Sequence, residues 1–248
     1  MIERSYQTGE RLGLQVWTED EGGPYQAIPQ PGASWQPEGR PARYPHEYIR
    51  GGVAKLLTLF RPATGEARAE PVEHATNAVL HPWLKRELAA ILEACPPAPA
   101  TPPEGRRWSD WASGEWGRWL DATGVPLRAL LIWDNLKGHL SLGMVGWCLE
   151  RGILPLYTPL AGSWLNMSES FQGIIERRAL AGHHPHTVAD LMEWLRQAVR
   201  GWNRRPTPFT WRGKRHARRD RAYARRHRLA GSGATTAAPI PTRLCPIS

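Results

Sequence analysis

Leu14, Val16, Thr18 and Asp20 alternate with Gln15, Trp17, Glu19 and Glu21. A period of two predicts a strand that runs from Leu12 to Trp17 and on into Asp20, with Leu14, Val16, Thr18 and Asp20 on one face. A second strand is predicted at Lys55–Phe60, where an apolar run ends at the turn signal Pro62-Ala63-Thr64-Gly65. Between the two, Pro29, Pro31, Gly32, Pro37, Gly39 and Pro41 confine the chain to loop or strand edge. Leu80, Leu84, Leu88 and Leu92 recur every fourth position, which predicts a helix over 77–92 with one apolar face. The apolar run from Leu127 to Trp133 is the pattern of a strand buried on both faces, and it stops at Asp134.

Beyond Asp134, Ser141 caps a predicted helix that Gly152 stops, and Ile153–Tyr157 is a short strand whose Pro155 favours a sheet edge. Helices are expected over 164–181 and 188–202, the second with Leu191, Trp194, Leu195 and Val199 on its apolar face. Early strands followed by alternating strands and helices predict an α/β sheet of mixed strand order. One stretch breaks this pattern. The prolines between Cys95 and Pro103 cannot continue a helix, because proline lacks the amide donor and clashes with the preceding turn. After them, Trp108, Trp111, Trp116 and Trp119 fall near helical spacing and predict one aromatic stripe, read first as packing and second as a platform for bases.

Charge narrows the class of partner. Twelve of the 32 Lys and Arg lie between Arg200 and Arg228 beside the single acid Asp220, leaving 20 basic and 22 acidic residues elsewhere. A basic block of this kind meets nucleic acid phosphate or remains a solvated tail. Arg204, Arg205, Arg212, Lys214, Arg215, Arg218, Arg219, Arg225 and Arg226 are its candidate DNA contacts. No apolar run is long enough to span a membrane, and a cytoplasmic, nucleoid-associated protein is the expectation. The scattered Cys95, Cys148 and Cys245 argue against a disulfide framework and a zinc ribbon, and His183, His184 and His186 lack a matching ligand pair and are read as a loop.

Three acids carry the candidate chemistry. Asp20 and Asp134 are expected at the carboxyl ends of strands, where open α/β sheets bind ligands, and Glu169 in the first turns of the next helix. Carboxylates from separate elements can hold a pair of divalent cations about 3.5–4 Å apart for phosphoryl transfer. Mg2+, or Mn2+ in its place, suits hard oxygen ligands. Singly, each acid has an ordinary explanation. Glu19-Asp20-Glu21 reads as a solvated turn, Asp134-Asn135 as turn chemistry, and Glu169 as a helix residue behind a cap at Asn166 or Ser168. His139, five positions after Asp134, reads as a phosphate-positioning or proton-transfer group or as a hydrogen-bonded loop histidine.

Together these residues resemble a known family. Thr18-Glu19-Asp20-Glu21-Gly22, Trp133-Asp134-Asn135-Leu136-Lys137-Gly138-His139 and the run from Thr158 to Glu169 resemble the DDE transposases of the insertion-sequence-630 group, relatives of mariner elements. Their Asp-Glu, Asp-Asn-x-x-x-His and Asn-x-x-Glu motifs occur here in order, with 34 residues between Asp134 and Glu169. The likeness spans Leu12 to Trp202, and Trp202-Asn203 matches a frequent downstream element. It implies an RNase H-like fold with a mixed five-stranded sheet flanked by helices. It also implies DNA cleavage and strand transfer with two metal ions on Asp20, Asp134 and Glu169, with Glu21, Asn135, His139 and Asn166 as auxiliary candidates.

The expected organisation is a catalytic domain over 1–203 with a Pro/Trp-rich insertion at about 95–123, a basic DNA-contacting segment at 204–230 and a disordered tail at 231–248. The expected partner is double-stranded DNA, as transposon ends and target, with a homodimer because two ends must be joined. Family relatives carry N-terminal helix-turn-helix domains, and a first strand near residue 12 leaves no room for one here; a fragment, or end recognition by another polypeptide, is the expectation. The alternatives are an inactive DNA-binding remnant and an RNase H-like nuclease on RNA–DNA hybrids.

Overall fold

The computed structural model describes residues 1–28, 37–40, 51–99, 101–160, 162–211, 227–228 and 235–236. Five strands form its main sheet: β1 (Gln15–Gln26), β2 (Val53–Arg61), β3 (Glu66–Val72), β4 (Ala129–Trp133) and β5 (Ile153–Tyr157). Their order is β3-β2-β1-β4-β5. β1, β2 and β3 are antiparallel neighbours, whereas β4 runs parallel to β1 and β5 parallel to β4. A mixed sheet of this order and these directions, flanked by helices, is the RNase H-like arrangement. β4 is central and all five of its residues are buried, as its apolar run requires. Pro155 sits in the edge strand β5, where a missing amide donor is tolerated.

β3 has no apolar run, and sequence periodicity misses it. It is the other edge, only Ala67 and Pro71 are buried, and charged Glu66, Arg68 and Glu70 blunt its exposed side. The edge is also covered. Asn203 Nδ2 donates to the Ala67 carbonyl at 2.7 Å, and its Oδ1 accepts from the Ala67 amide at 3.1 Å, as a neighbouring strand would. Trp202 Nε1 donates to the Gly65 carbonyl at 2.7 Å, so the Trp202-Asn203 pair docks the end of the last helix on the sheet.

The N-terminus forms a helical segment that begins with α1 (Ile2–Arg4) and ends at Leu12. One face of the sheet is covered by α2 (Asn77–Glu93), whose Leu80, Leu84, Leu88 and Leu92 are all buried as predicted, and by Met144 and Cys148 of α4 (Leu142–Leu149). Each such leucine contributes about 1.5–3 kcal/mol by leaving water. The other face carries α5 (Met167–Leu180) and α6 (Val188–Asn203). There Phe171 stacks on Phe60 of β2 at 5.1 Å between ring centroids.

A second cluster joins Leu14 and, from the sheet, Val16, Leu130 and Ile132 to Ile2 and to Trp108, Trp111 and Leu120 of the 95–123 segment. That segment does not present one aromatic stripe. Trp108 and Trp111 are core, whereas Trp116 and Trp119 on α3 (Gly114–Ala122) are 50% and 57% exposed and stack on each other. Trp108–Asp110 is a separate 3-10 turn and α3 starts only at Gly114, so the two pairs do not share one helical face. α5 also begins three residues later than expected, because Ser163–Leu165 form a separate 3-10 turn and Asn166 supplies the cap.

The chain divides into two compact units, Met1–Phe209 and Thr210–Ser248. In the second unit His227–Arg228, in the basic segment, pairs antiparallel with Thr235–Thr236, in the tail expected to be disordered; the rest of that tail lies outside the described residues. Cys95 and Cys148 are free thiols, and Cys245 lies outside the described residues. Among the described residues no helix is long and apolar enough to cross a membrane.

Candidate active site

The site begins with a mismatch in strand length. β1 pairs with β4 only as far as Thr18 and Ile132, because β4 ends at Trp133, while β1 stays paired with β2 out to Gln26. Beyond Thr18, therefore, one edge of β1 is open. Asp20 projects from this stretch and Asp134 is the first residue past β4. The expectation that Asp20 ends a strand, or belongs to a solvated turn, is corrected: it lies mid-strand, and the neighbouring strand is what ends.

Alternation along β1 divides the acidic triplet between two faces. On the α5 face Thr18 hydrogen-bonds Ser168 within the core, and a Cβ at Gly22 would lie 3.0 Å from Gln172. Asp20 is flanked by these two contacts, next to the turn that carries Glu169. Asn166 positions that turn. Its Oδ1 accepts from the Ser168 amide at 3.1 Å, capping α5, while its Nδ2 donates to the Glu19 carbonyl at 2.6 Å.

Asp20 is pushed up to about 7, first by burial and then by the charges of Glu19, Asp134 and Glu169, against one opposing hydrogen bond from the Glu21 amide. Asp134 behaves oppositely. Burial raises it, but the His139 hydrogen bond, the Leu136 amide and the His139 charge outweigh burial and hold it below the usual carboxylate range. In both residues the chain's donors converge on Oδ1, from Glu21 at 2.8 Å for Asp20, and from Leu136 at 3.0 Å and His139 Nδ1 at 2.8 Å for Asp134. No donor among the described residues takes Oδ2 of either. Free carboxylate oxygens and unbalanced negative charge fit a divalent cation.

Glu19 and Glu21 point to the opposite face, toward His139. The imidazole lies flat on Trp133, 4.6 Å between centroids and 8° from parallel, and Tyr157 Oη donates to the His139 carbonyl at 2.9 Å. His139 Nε2 is 2.8 Å from Glu19 Oε2, with both side chains fully buried. The two form an ion pair off the ideal hydrogen-bond line: among the described residues neither Glu19 oxygen nor Nε2 has an aligned partner. Burial lowers the basicity of His139, but the Glu19 charge, the Asp134 hydrogen bond and the close Glu19 contact overcome it and lift the ring to about 10. Glu21 is raised by burial and by Glu19, with His139 and Lys55 opposing.

Ligand atoms of Glu19, Glu21 and His139 all lie within 4.8 Å of one another, a closeness that Asp20, Asp134 and Glu169 do not reach. Asn135 is an anchor for the loop after β4, its Nδ2 donating to the Thr158 carbonyl at 2.6 Å. Glu19 is the participant that residue-by-residue reading overlooks. The signal for it is the same alternation that sets Asp20 with Val16, since it sets Glu19 with Trp17. Arg204 and Arg205 are exposed just past α6, and Arg212, Lys214, Arg215, Arg218, Arg219, Arg225 and Arg226 lie outside the described residues.

No family model matches the chain, and no curated protein matches it. Among solved structures, the catalytic core domain of BIV integrase is similar with a TM-score of 0.41 and 9% identity, over 85% of this chain and 99% of that one. The RNase H-like arrangement is given by the order and directions of the strands themselves.

Proposed function

We propose that the chain is the catalytic domain of a DDE transposase of the insertion-sequence-630 group, with Asp20, Asp134 and Glu169 as its metal ligands. The observation that carries this reading is the register. Asp20 and Asp134 stand at the same level where the β1–β4 ladder ends, and the Asn166 cap ties the turn bearing Glu169 to the Glu19 carbonyl beside them. A pair of Mg2+ or Mn2+ ions, when bound, supplies an activated water or 3′-hydroxyl and stabilises charge on the leaving oxygen. The chain's own part is placement. Donors pin Oδ1 of each aspartate, leaving Oδ2 without a donor among the described residues. His139 holds Asp134 from behind and keeps it ionised, and the basic segment after α6 follows the phosphates of double-stranded DNA. The reaction that fits is phosphodiester cleavage followed by strand transfer, with transposon ends and target as substrates.

Manganese-dependent nicking of supercoiled plasmid by the purified chain, beside an Asp134→Asn variant, tests the reading. Nicking by the parent alone is expected. Equal nicking by both proteins removes these acids from the chemistry. Binding without nicking by either favours an inactive DNA-binding remnant.

A further inference from the structure

We propose that Glu19, Glu21 and Nε2 of His139 form a second cation site, on the face of β1 opposite Asp20, that takes a divalent transition ion of the Zn2+ or Mn2+ class. Residues two apart on a strand share a face, so Glu19 and Glu21 turn together toward the loop that carries His139. Their ligand atoms lie within 4.8 Å of one another. Clusters of exposed acids arise without any ligand; this one is different, because Glu19 and His139 are 0% exposed.

A carboxylate that deep costs several kcal/mol unless its oxygens are matched. Neither Glu19 oxygen has an aligned donor among the described residues, and Nε2, though 2.8 Å from Oε2, is not aligned with it. Their 2.8 Å separation is that of two ligands on one cation as well as that of an ion pair. The ring is also prepared for ligation. Asp134 takes Nδ1 at 2.8 Å and Trp133 holds the plane, an outer shell that fixes the ring with Nε2 toward Glu19, where an arriving cation displaces the Nε2 proton. Two carboxylates and one imidazole suit a borderline cation, whereas Mg2+ prefers oxygen alone. The two faces of β1 thus sort two kinds of cation, and Asp134 touches both through His139. This site stands whether or not Asp20, Asp134 and Glu169 cut DNA.

Co2+ titration of the metal-stripped full chain, followed by its visible absorption, tests the site. One equivalent with an imidazole-ligand band is expected for the parent and for Asp20→Asn. For Glu19→Gln the band is lost and the dissociation constant rises by about tenfold or more. Any band from exposed His183, His184 and His186 persists in Glu19→Gln and is subtracted. Parent-like binding by Glu19→Gln overturns the proposal. If that variant does not fold, the parent labelled with 15N-histidine decides the matter alone. Loss of the His139 Nε2–H signal with one equivalent of Zn2+ supports the site. Its persistence at saturating Zn2+ makes Glu19–His139 a plain buried ion pair and overturns it. Plasmid nicking in Mg2+ reads the opposite face separately.

Discussion

Asp20 and Asp134 are neighbours at one strand end, yet their surroundings push them in opposite directions. Asp20 meets only anions and one amide, and it rises to about 7. Because its folded value lies above its ordinary one, the native state keeps a proton that the unfolded chain has lost. This group's contribution to stability therefore falls as pH rises from about 4 to about 7, and above that the ionised side chain is a standing cost. Metal-free Asp20→Asn should be more stable than the parent at pH 8, by about 2 kcal/mol after allowing for solvent around a partly exposed group, with the difference gone by pH 4. Thermal melts with a chelator across that range measure it. Added Mg2+ should reverse the order, because a cation bound by the native parent stabilises it by mass action. Equal melting shifts in parent and variant would separate Asp20 from the metal. Glu19 shows why neighbours in sequence need different readings: one peptide bond away from Asp20, it is buried against His139 on the other face.

Among the elements, α5 positions most of the site. Its first turn carries Glu169, its Ser168 joins Thr18 of β1, and its cap residue Asn166 reaches the β1 backbone. Asn166→Ala removes the cap and leaves the Glu19 carbonyl without its side-chain donor. We expect a loss of about 1–2 kcal/mol in urea unfolding and a fall in manganese-dependent nicking beyond what reduced folding explains. Asn166→Asp keeps the cap oxygen but not the donor and should recover stability more than activity. β4, α2 and α6 were legible because each is strongly periodic or continuously apolar. β3 was not, since an edge strand shielded by a helix end needs no apolar run. The tryptophan stripe misled for a related reason: spacing implies a shared face only within one helix, and here a 3-10 turn precedes a separate helix that starts at Gly114.

Across the whole molecule, charge is segregated. Excess positive charge gathers between Arg200 and Arg228, while Asp20 and Asp134 stand just past the last pair of the β1–β4 ladder. A basic segment that tracks phosphate releases counterions on binding, so its removal must change the salt dependence of affinity. Arg218, Arg219, Arg225 and Arg226 changed together to Ala should lower the slope of log affinity against log salt by about 0.9 for each phosphate left unneutralised. Filter binding or fluorescence anisotropy across a salt series measures that slope, and an unchanged value removes the segment from the interface.

The chain alone contained the order of most elements, the buried central strand, the basic block and the three spaced acids, since each is a local pattern of residue type and interval. Convergence was not contained in it. The β1–β4 pairing stops at Thr18, two residues short of Asp20, and the length of a neighbouring strand is a property of pairing. The placement of Glu19 against His139, 120 residues away in the chain, depends on which side of the sheet the loop after β4 folds over. That is settled by Trp133 packing under the imidazole and Tyr157 holding its carbonyl, contacts that exist only once β4 and β5 lie side by side.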